Sequence, residues 1–316
     1  MSTPKISVCI PTYNYAEYIG QAIDSVLMQD YTDYELIIVD DCSSDATSEI
    51  VESYIKRCNR PIQFIVNETN RGLVGNWNYC LELAKGEYIK FLFADDFLVE
   101  SDALRRMSAL LDADPGLALV STARTVVDAH SVPQKLFVHY EIDRSTSGTS
   151  VIEECLSSIK NLIGEPSAVM FRKNLATRGF NTAYKQLVDL EMWFHILEQG
   201  DYAYISRSLC SFRIHDKQQT AVNRKDPRLI LETSWLHQEY LSKPYIGISL
   251  FRKFYVCYDY KYQLWKNLRT NSQEIKKHLY DSFFSKMEFL FLVSIYKIAK
   301  PLMKMSRKKH VTYFKT

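Results

Sequence analysis

The chain lacks the features that mark nucleic-acid-binding, disulfide-rich and membrane-spanning proteins. Its 316 residues carry a formal net charge of only +2, which gives no electrostatic reason to expect a nucleic acid partner. The seven cysteines are scattered and none forms a Cys-x-x-Cys pair, which argues for reduced thiols in a cytosol rather than disulfides or a zinc site. No apolar run reaches the ~20 residues that span a bilayer, and no signal-peptide pattern precedes the first apolar segment.

Two further absences narrow the class of enzyme. No Gly-x-Gly-x-x-Gly follows the first predicted strand, which argues against a Rossmann dehydrogenase. The same position, residues 11–15, also lacks the glycine-rich loop with Arg or Lys that a sugar nucleotidyltransferase uses to grip a triphosphate. A sugar nucleotidyltransferase remains an alternative, although this chain lacks the phosphate-binding loop that is usual in that class.

The first half of the chain alternates apolar runs with segments of helical periodicity. This alternation is typical of βαβ units and predicts an α/β fold with a doubly wound, mostly parallel sheet. The predicted strands cover residues 6–10, 36–39, 62–66, 88–93 and 117–121, and the predicted helices cover residues 15–29, 47–55, 73–84 and 101–111. Pro11 is expected to close the first strand, and Gly86 to cap the third helix.

The second half is less regular. Residues 124–140 are predicted to form a polar hairpin or loop, and the Ser/Thr/Gly-rich residues 141–150 a mobile loop over a crevice. Helical spacing returns at 151–162 and 187–199, on either side of a short strand at 168–172. We expect a catalytic domain over residues 1–225 and a helical, basic extension over residues 226–316.

Two of the apolar runs end on paired aspartates, Asp40-Asp41 and Asp95-Asp96. Because ligands of open α/β sheets bind beyond the carboxyl ends of the strands, both pairs should face one crevice. Four carboxylates there would repel one another unless a cation or hydrogen-bond donors held them. One pair suits a nucleotide, with Asp41 placed to accept the N–H of uracil or thymine, and the other suits a metal-diphosphate. A lone aspartate at either position more often caps the following helix.

Several motifs occur in an order and spacing that resemble glycosyltransferase family 2. Residues 10–14 read IPTYN, residues 39–45 read VDDCSSD, and residues 84–89 read AKGEYI before ADD at 94–96. The resemblance covers roughly residues 5–220. It implies the GT-A fold, in which a Rossmann-like nucleotide-binding half is fused to an acceptor-binding half. It also implies inverting transfer of a sugar from a nucleotide-sugar to a hydroxyl, usually with a divalent metal, Mn²⁺ or Mg²⁺.

The resemblance assigns roles to individual residues. The donor-binding set is Pro11, Tyr13, Asn14, Asp41, Asn70, Gly72, Asn78 and Asp95. Asp96 is expected to ligate the metal, and His215, in a late Arg-x-His motif, to complete the metal shell or contact the diphosphate. The family often has Arg where this chain has Trp77, and an acid where it has Phe93. These two departures support a second reading, a nucleotide-sugar-binding scaffold without turnover.

The catalytic base is expected near the start of the helix at 187–199. Asp189 takes the position of the base and Glu191 follows two residues later, as in the acidic motif of the family. A carboxylate within reach of the acceptor hydroxyl removes its proton as the oxygen attacks C1. The helix N-terminus should keep Asp189 ionised. The alternative is that Asp189 caps this helix and Glu191 lies on the surface. Residues 164–167 are expected to line the acceptor side.

The carboxyl-terminal segment suggests a partner. Residues 283–303 mix aromatic and aliphatic side chains with lysines, and a basic cluster follows at 304–310. This pattern fits an amphipathic helix on an anionic membrane surface, or alternatively a helical cap on the catalytic domain. We therefore expect a cytoplasmic enzyme on the inner face of the plasma membrane. Its donor would be a UDP-sugar first and a dTDP-sugar next, and its acceptor a glycan or lipid-linked saccharide of a bacterial surface polysaccharide.

Overall fold

The computed structural model describes residues 3–58, 60–216, 218, 228–249 and 253. The chain forms two compact units, residues 1–222 and residues 223–316. Most of the predicted extension, including the proposed membrane-binding segment 283–303 and the basic cluster, lies outside the described residues. In the second unit the described part includes the helix Arg228–Leu241. None of the helices among the described residues is both long and apolar enough to cross a bilayer.

The first unit is built on one large sheet flanked by helices. Its strands are β1 Ile6–Thr12, β2 Tyr34–Asp40, β3 Ile62–Val66, β4 Tyr88–Phe91, β5 Leu117–Val127, β6 Pro133–Phe137, β7 Arg144–Thr146, β8 Val169–Arg172 and β9 Asp201–Arg213. Its α-helices are α1 Ile19–Leu27, α2 Thr47–Arg57, α3 Gly72–Leu83, α4 Ala103–Ala113, α5 Gly148–Ser158 and α6 Val188–Leu197. Short 3₁₀ turns flank β8 at Pro166–Ala168 and Lys173–Leu175.

The strand order is β3-β2-β1-β4-β8-β5-β9-β7, with β6 paired to β5 outside this path. Strands β3, β2, β1 and β4 are parallel, as the βαβ pattern predicts. The other half is mixed, because β8 runs antiparallel to both β4 and β5, while β9 runs parallel to β5. The predicted α/β fold, in which β3, β2, β1 and β4 form a parallel half, is confirmed.

Apolar burial explains why these segments form these elements. Every residue of β1 is buried, and so are all of β2 except Glu35, as expected for strands covered on both faces. Helix α1 buries Ile19, Ala22, Ile23 and Val26, which share one face at helical spacing. Burying each large aliphatic side chain contributes about 1.5–3 kcal/mol. The layered core therefore holds the carboxyl ends of β1, β2 and β4 side by side.

Several predicted boundaries were wrong, each for a local reason. Strand β1 continues through Pro11, which pairs in register with Val39, to Thr12. Strand β5 extends to Val127 because it pairs with both β6 and β9, and β6 completes the predicted hairpin. The segment 141–150 is not wholly a loop, because it contains β7 and the start of α5. Helix α3 ends at Leu83 with Ala84 as its C-cap, so Gly86 does not cap it.

Gly86 has a packing role instead, which leads to a prediction. A Cβ at this position would lie 2.5 Å from the backbone nitrogen of Ser7 and 2.7 Å from the carbonyl carbon of Ile6. We expect Gly86→Ala to lower the free energy of unfolding by about 1–3 kcal/mol, because the backbone of β1 must move. Chemical denaturation measures the change.

The matched control is Gly20→Ala in α1, where a Cβ meets only the end of the Tyr54 side chain, at 3.3 Å. Alanine is the better helix former, so this variant should match or exceed the wild type in stability. Equal stability losses in the two variants would contradict the close approach at Gly86.

Candidate active site

The first aspartate pair lies at the carboxyl end of β2, and both side chains accept hydrogen bonds from neighbouring groups. Asp40 Oδ1 accepts from the Ser43 backbone N–H at 3.1 Å, and its Oδ2 accepts from Ser48 Oγ at 2.9 Å. Asp41 Oδ1 accepts from the Arg71 backbone N–H at 2.7 Å and from Asn67 Nδ2 at 2.8 Å. Asp40 therefore organises the start of α2, while Asp41 faces the loop that precedes α3.

The loop after β1 is tied to the loop after β2. Asn14, in the left-handed region with φ 58°, donates its N–H to Ser43 Oγ at 2.8 Å and accepts from the Ser44 N–H at 2.8 Å. The backbone N–H and the side-chain oxygen of Asn14 therefore hold these two loops together. Pro11 is buried, whereas Tyr13 is 48% exposed and leaves an aromatic face open to solvent.

Two of the three residues expected at the start of α3 do lie near Asp41. Asn70 donates to the Asp41 carbonyl oxygen at 3.1 Å and accepts from the Gly72 N–H at 2.9 Å. Gly72 has φ +73°, which glycine adopts without strain. Asn78 is engaged elsewhere, because it clasps the backbone of Phe180, accepting at 2.6 Å and donating at 3.0 Å.

The second aspartate pair lies in the loop beyond β4. Asp95 Oδ2 lies 3.1 Å from Nε2 of His215, and both side chains are nearly buried. The rings of Tyr15 and Tyr18 pack on His215, with centroid distances of 6.0 Å and 4.9 Å. The structure thus brings together an aspartate and a histidine that lie 120 residues apart in the chain.

Asp96 points in a different direction from Asp95. Its Oδ1 accepts from the Arg213 backbone N–H at 2.9 Å. Burial, and then the charge of Asp95, raise the pKa of Asp96 well above its usual range, although hydrogen bonds from Ser167 and Arg213 oppose the shift. This carboxyl group is placed for an internal hydrogen bond.

Arg213 is the central anchor of the site, and the motif that contains it gave no role for its side chain. Its Nε donates to the Asp95 carbonyl oxygen at 2.6 Å, and its Nη2 donates to Gln21 Oε1 at 2.6 Å. Its Nη1 donates to the carbonyl oxygens of Asp128 and Ala129 at 3.2 and 3.1 Å. The one signal in the sequence is an arginine inside the apolar strand β9, two residues before His215.

The turn at 164–167 connects the Asp95 loop to the helix of the expected base. Ser167 Oγ accepts from the Phe93 N–H at 3.0 Å, and the Trp193 indole on α6 donates to the Gly164 carbonyl at 2.9 Å. The Ser167 carbonyl also accepts from Lys90, a fully buried lysine of β4 that had no predicted role. Burial lowers the pKa of Lys90 to about 8. The buried Trp193 lies in the core, as predicted.

Asp189 is the second residue of α6, and Leu187 occupies the N-cap position. Desolvation raises the pKa of Asp189 to about 7, the Glu165 charge adds to the shift, and the Leu190 N–H opposes it. Desolvation therefore opposes the expected effect of the helix N-terminus, and Asp189 is partly ionised at neutral pH. Glu191 is buried rather than on the surface, and it pairs with Arg178 at 2.8 Å.

The residues present fit a divalent cation of the Mn²⁺ type. Within the described ranges, no three His, Cys, Asp or Glu side chains form a ready cluster for a metal ion. Asp95 and His215 nevertheless offer one carboxylate oxygen and one imidazole nitrogen at the same place. Such a pair suits Mn²⁺ when diphosphate oxygens and water supply the other ligands.

Comparison of sequences identifies relatives of this site and fold. The family model described as glycosyl transferase family 2 matches residues 7–178, more than half of the chain. An uncharacterized protein of Mycobacterium tuberculosis, MT1568, is 35% identical over 221 residues, which cover 67% of each chain. The poly(ribitol-phosphate) beta-N-acetylglucosaminyltransferase TarS of Staphylococcus aureus is 35% identical over 136 residues, which are 42% of this chain and 23% of TarS.

Solved structures confirm the GT-A fold. TarS residues 1–349 in complex with UDP-GlcNAc superpose with a TM-score of 0.65 at 20% identity, covering 87% of this chain and 78% of that one. The mannosyltransferase PcManGT of Pyrobaculum calidifontis, solved with GDP-Man and Mn²⁺, gives a TM-score of 0.58 at 18% identity. That match covers 98% of this chain and 89% of the other.

The raised pKa of Asp189 gives a stability prediction. Between about pH 4, where an unfolded aspartate titrates, and pH 7, native Asp189 keeps a proton that the unfolded chain has lost. The free energy of unfolding therefore falls as the pH rises through this window. Asp189→Asn removes this contribution, so its melting temperature should gain on the wild type between pH 4 and pH 8.

The matched control is Asp33→Asn, at an exposed carboxyl group just before β2, at the amino end of that strand. Its melting temperature should stay parallel to that of the wild type across the same pH range. Thermal unfolding followed by circular dichroism gives both curves. A parallel curve for Asp189→Asn would show that this carboxyl group titrates normally.

Proposed function

The chain belongs to glycosyltransferase family 2, and on that premise we propose that it transfers a sugar from a UDP-sugar to a hydroxyl group, with inversion at the anomeric carbon. The relatives with printed activities make glycans, and the TarS structure contains UDP-GlcNAc. A dTDP-sugar is the second candidate donor, because a single contact to the imide N–H does not separate uracil from thymine.

One observation carries the proposal. The expected base-binding residues, the expected metal ligands and the helix with the expected general base are neighbours at the carboxyl ends of the strands. Strand β1 lies between β2 and β4, so the Asp41 pocket and the Asp95 loop are neighbours. The Ser167 hydroxyl joins the Asp95 loop to the turn at 164–167, and Trp193 joins that turn to α6. Helix α6 carries Asp189, whose pKa responds to Glu165 of the same turn.

For the donor, we propose that Asp41 accepts the imide N–H and that Pro11 and the exposed ring of Tyr13 bound the base. Asn14, Asn70 and Gly72 shape this pocket through their backbone and side-chain hydrogen bonds. Asn78 was expected to line the donor, but we now propose that it positions the Phe180 backbone.

For the metal, we propose that Asp95 and His215, rather than Asp96, would hold the cation. Asp96 Oδ1 is already engaged by the Arg213 backbone N–H, whereas Asp95 Oδ2 lies beside the imidazole of His215. A divalent cation at Asp95 and His215 would offset the negative charge that grows on the departing diphosphate. The rings of Tyr15 and Tyr18 restrict the orientation of the imidazole.

For proton transfer, we propose that Asp189 is the general base. With a pKa of about 7, it is ionised in a substantial fraction of molecules at neutral pH and can bind the proton of the acceptor hydroxyl. The acceptor oxygen forms the new bond to C1 while the bond from C1 to the diphosphate breaks. Glu191, held by Arg178, supports the start of the helix rather than receiving the proton.

The raised pKa of Asp189 favours an enzyme over the scaffold alternative, because carboxyl groups with strongly shifted pKa values are common at catalytic sites. The nucleotidyltransferase alternative gains no support from the family match.

We further propose a glycan or lipid-linked saccharide acceptor in bacterial polysaccharide synthesis. A catalytic domain at 1–225, a basic extension at 226–316 that binds an anionic membrane, and a cytoplasmic location on the inner face of the plasma membrane complete this proposal.

The metal assignment predicts a contrast between two adjacent aspartates. We expect UDP with Mn²⁺ to raise the melting temperature of the wild type and of Asp96→Asn, which keeps an oxygen for the Arg213 N–H. Asp95→Asn should lose the metal-dependent part of this shift, because it removes the charged ligand. A panel of UDP, dTDP, GDP and CMP, each with Mn²⁺ or with EDTA, provides the measurement. Loss of the shift in Asp96→Asn alone would reverse the assignment, and no shift with any nucleotide would overturn the proposed function.

The base assignment predicts a pH profile. Transfer, measured as UDP release with candidate UDP-sugars and glycan acceptors, should rise in kcat/KM with pH and level off above about pH 7. Asp189→Asn should lower kcat by about 10²–10⁴-fold with little change in UDP affinity. Glu191→Gln is the comparison, and we expect a smaller loss with the same pH midpoint. Near-normal turnover by Asp189→Asn would assign the base elsewhere.

A further inference from the structure

Two buried asparagines behind Asp41 have no role in the function proposed above. Asn67, just after β3, is 5% exposed, and Asn76, on α3, is 3% exposed. We propose that they form an amide relay that leaves Asp41 a single free acceptor oxygen, so that the site selects the imide of uracil or thymine over guanine. This inference rests on the proposed function, because it concerns the base of the nucleotide-sugar.

The orientation of both amide groups follows from the Val39 carbonyl, which can accept a hydrogen bond but cannot donate one. The Val39 carbonyl can only accept, and Asn76 Nδ2 lies 3.1 Å from it, so Asn76 Oδ1 must face the other way, toward Asn67. Asn67 Nδ2 therefore donates to Asn76 Oδ1 at 3.1 Å and to Asp41 Oδ1 at 2.8 Å. A backbone carbonyl of β2 thus sets the orientation of both amides.

The orientation of the Asn67 amide leaves its oxygen without a hydrogen-bond partner in the described part of the chain, and this energetic cost supports a functional role for the relay. Its Oδ1 is buried and has no hydrogen-bond partner among the described residues. An unsatisfied buried acceptor destabilises a protein, so such groups are rare unless the arrangement serves another purpose. Reversing the amide would place its oxygen against the Asp41 carboxylate. The observed orientation gives both N–H groups of Asn67 to acceptors and keeps Asp41 in place.

Asp41 Oδ1 consequently accepts two hydrogen bonds, one from Asn67 and one at 2.7 Å from the Arg71 backbone N–H. Two donors occupy the lone pairs of this oxygen and leave Oδ2 for the ligand. The imide of uracil or thymine presents one N–H and needs one acceptor. Guanine presents two parallel donors, N1–H and N2–H, that match both oxygens of a free carboxylate. The relay removes the second oxygen and with it the advantage of guanine.

The first test uses the wild type and needs no variant. Inosine diphosphate lacks the 2-amino group of GDP, so it presents only one donor to a carboxylate. We expect competition against labelled UDP, with Mn²⁺ present, to give equal affinities for GDP and inosine diphosphate, both weaker than UDP. GDP about tenfold tighter than inosine diphosphate would show a two-oxygen contact and overturn the inference, since about 1.4 kcal/mol of hydrogen bonding corresponds to tenfold. Failure of purine nucleotides to compete agrees with it.

The second test removes the relay. Asn67→Leu and Asn76→Leu keep side chains of similar size, and we expect each to weaken UDP about tenfold while changing GDP much less, so that the ratio of the two affinities narrows. Gln29→Leu is the matched control, because Gln29 is another buried amide with hydrogen bonds to backbone groups. It should lower thermal stability without altering the ratio.

The outcomes separate the two proposals. If the folded wild type binds neither UDP nor dTDP, the proposed function fails. If the wild type binds UDP and both relay variants keep the wild-type ratio of UDP to GDP affinity, the relay inference alone fails. Should a relay variant not fold, the comparison of GDP with inosine diphosphate in the wild type still decides the question.

Discussion

The site depends on one buried guanidinium group, that of Arg213. A buried arginine is always charged and must place its donors on acceptors, since an unpaired buried charge is strongly destabilising. The acceptors come from α1, from the Asp95 loop and from the turn after β5, so the guanidinium group ties these three segments together. The backbone N–H of the same residue holds Asp96, and His215 follows two positions later. Orientation of Asp95 toward its histidine is a consequence of this anchor.

Four carboxylates lie at the carboxyl ends of β2 and β4, and the structure handles each differently. Ser43 and Ser48 donate hydrogen bonds to Asp40, and Asn67 and the Arg71 N–H donate to Asp41. Burial raises the pKa of Asp96 well above its usual range. Asp95 lies against His215, the pair that we propose to hold a divalent cation beside the diphosphate. Hydrogen-bond donors thus offset part of the repulsion that the sequence predicts among these carboxylates.

Hydrophobic periodicity, together with the rule that ligands bind beyond the carboxyl ends of parallel strands, was sufficient to predict the fold and the general position of the candidate site. Strand β3 matches its predicted range, and the parallel order of β1, β2 and β4 follows from the βαβ alternation. The directions of side chains were not predictable, because tertiary contacts set them. Neither the clasp of Asn78 on a backbone 102 residues away nor the inward turn of Asp96 has a local signal. The same holds for the pKa of Asp189, where desolvation by distant segments outweighs the local helix dipole.

Trp77 and Phe93, the two residues that depart from the family pattern, lie in contact and form one aromatic cluster. Trp77 on α3 and Phe93 in the Asp95 loop contact each other, with ring centroids 5.0 Å apart, and Trp77 also packs on Phe180. Where the family often has a basic and an acidic residue, this chain has an aromatic pair that buries apolar area and contributes about 0.5–1.5 kcal/mol beyond that burial. The aromatic contact therefore packs the Asp95 loop against α3, and the loop in turn presents Asp95 to His215.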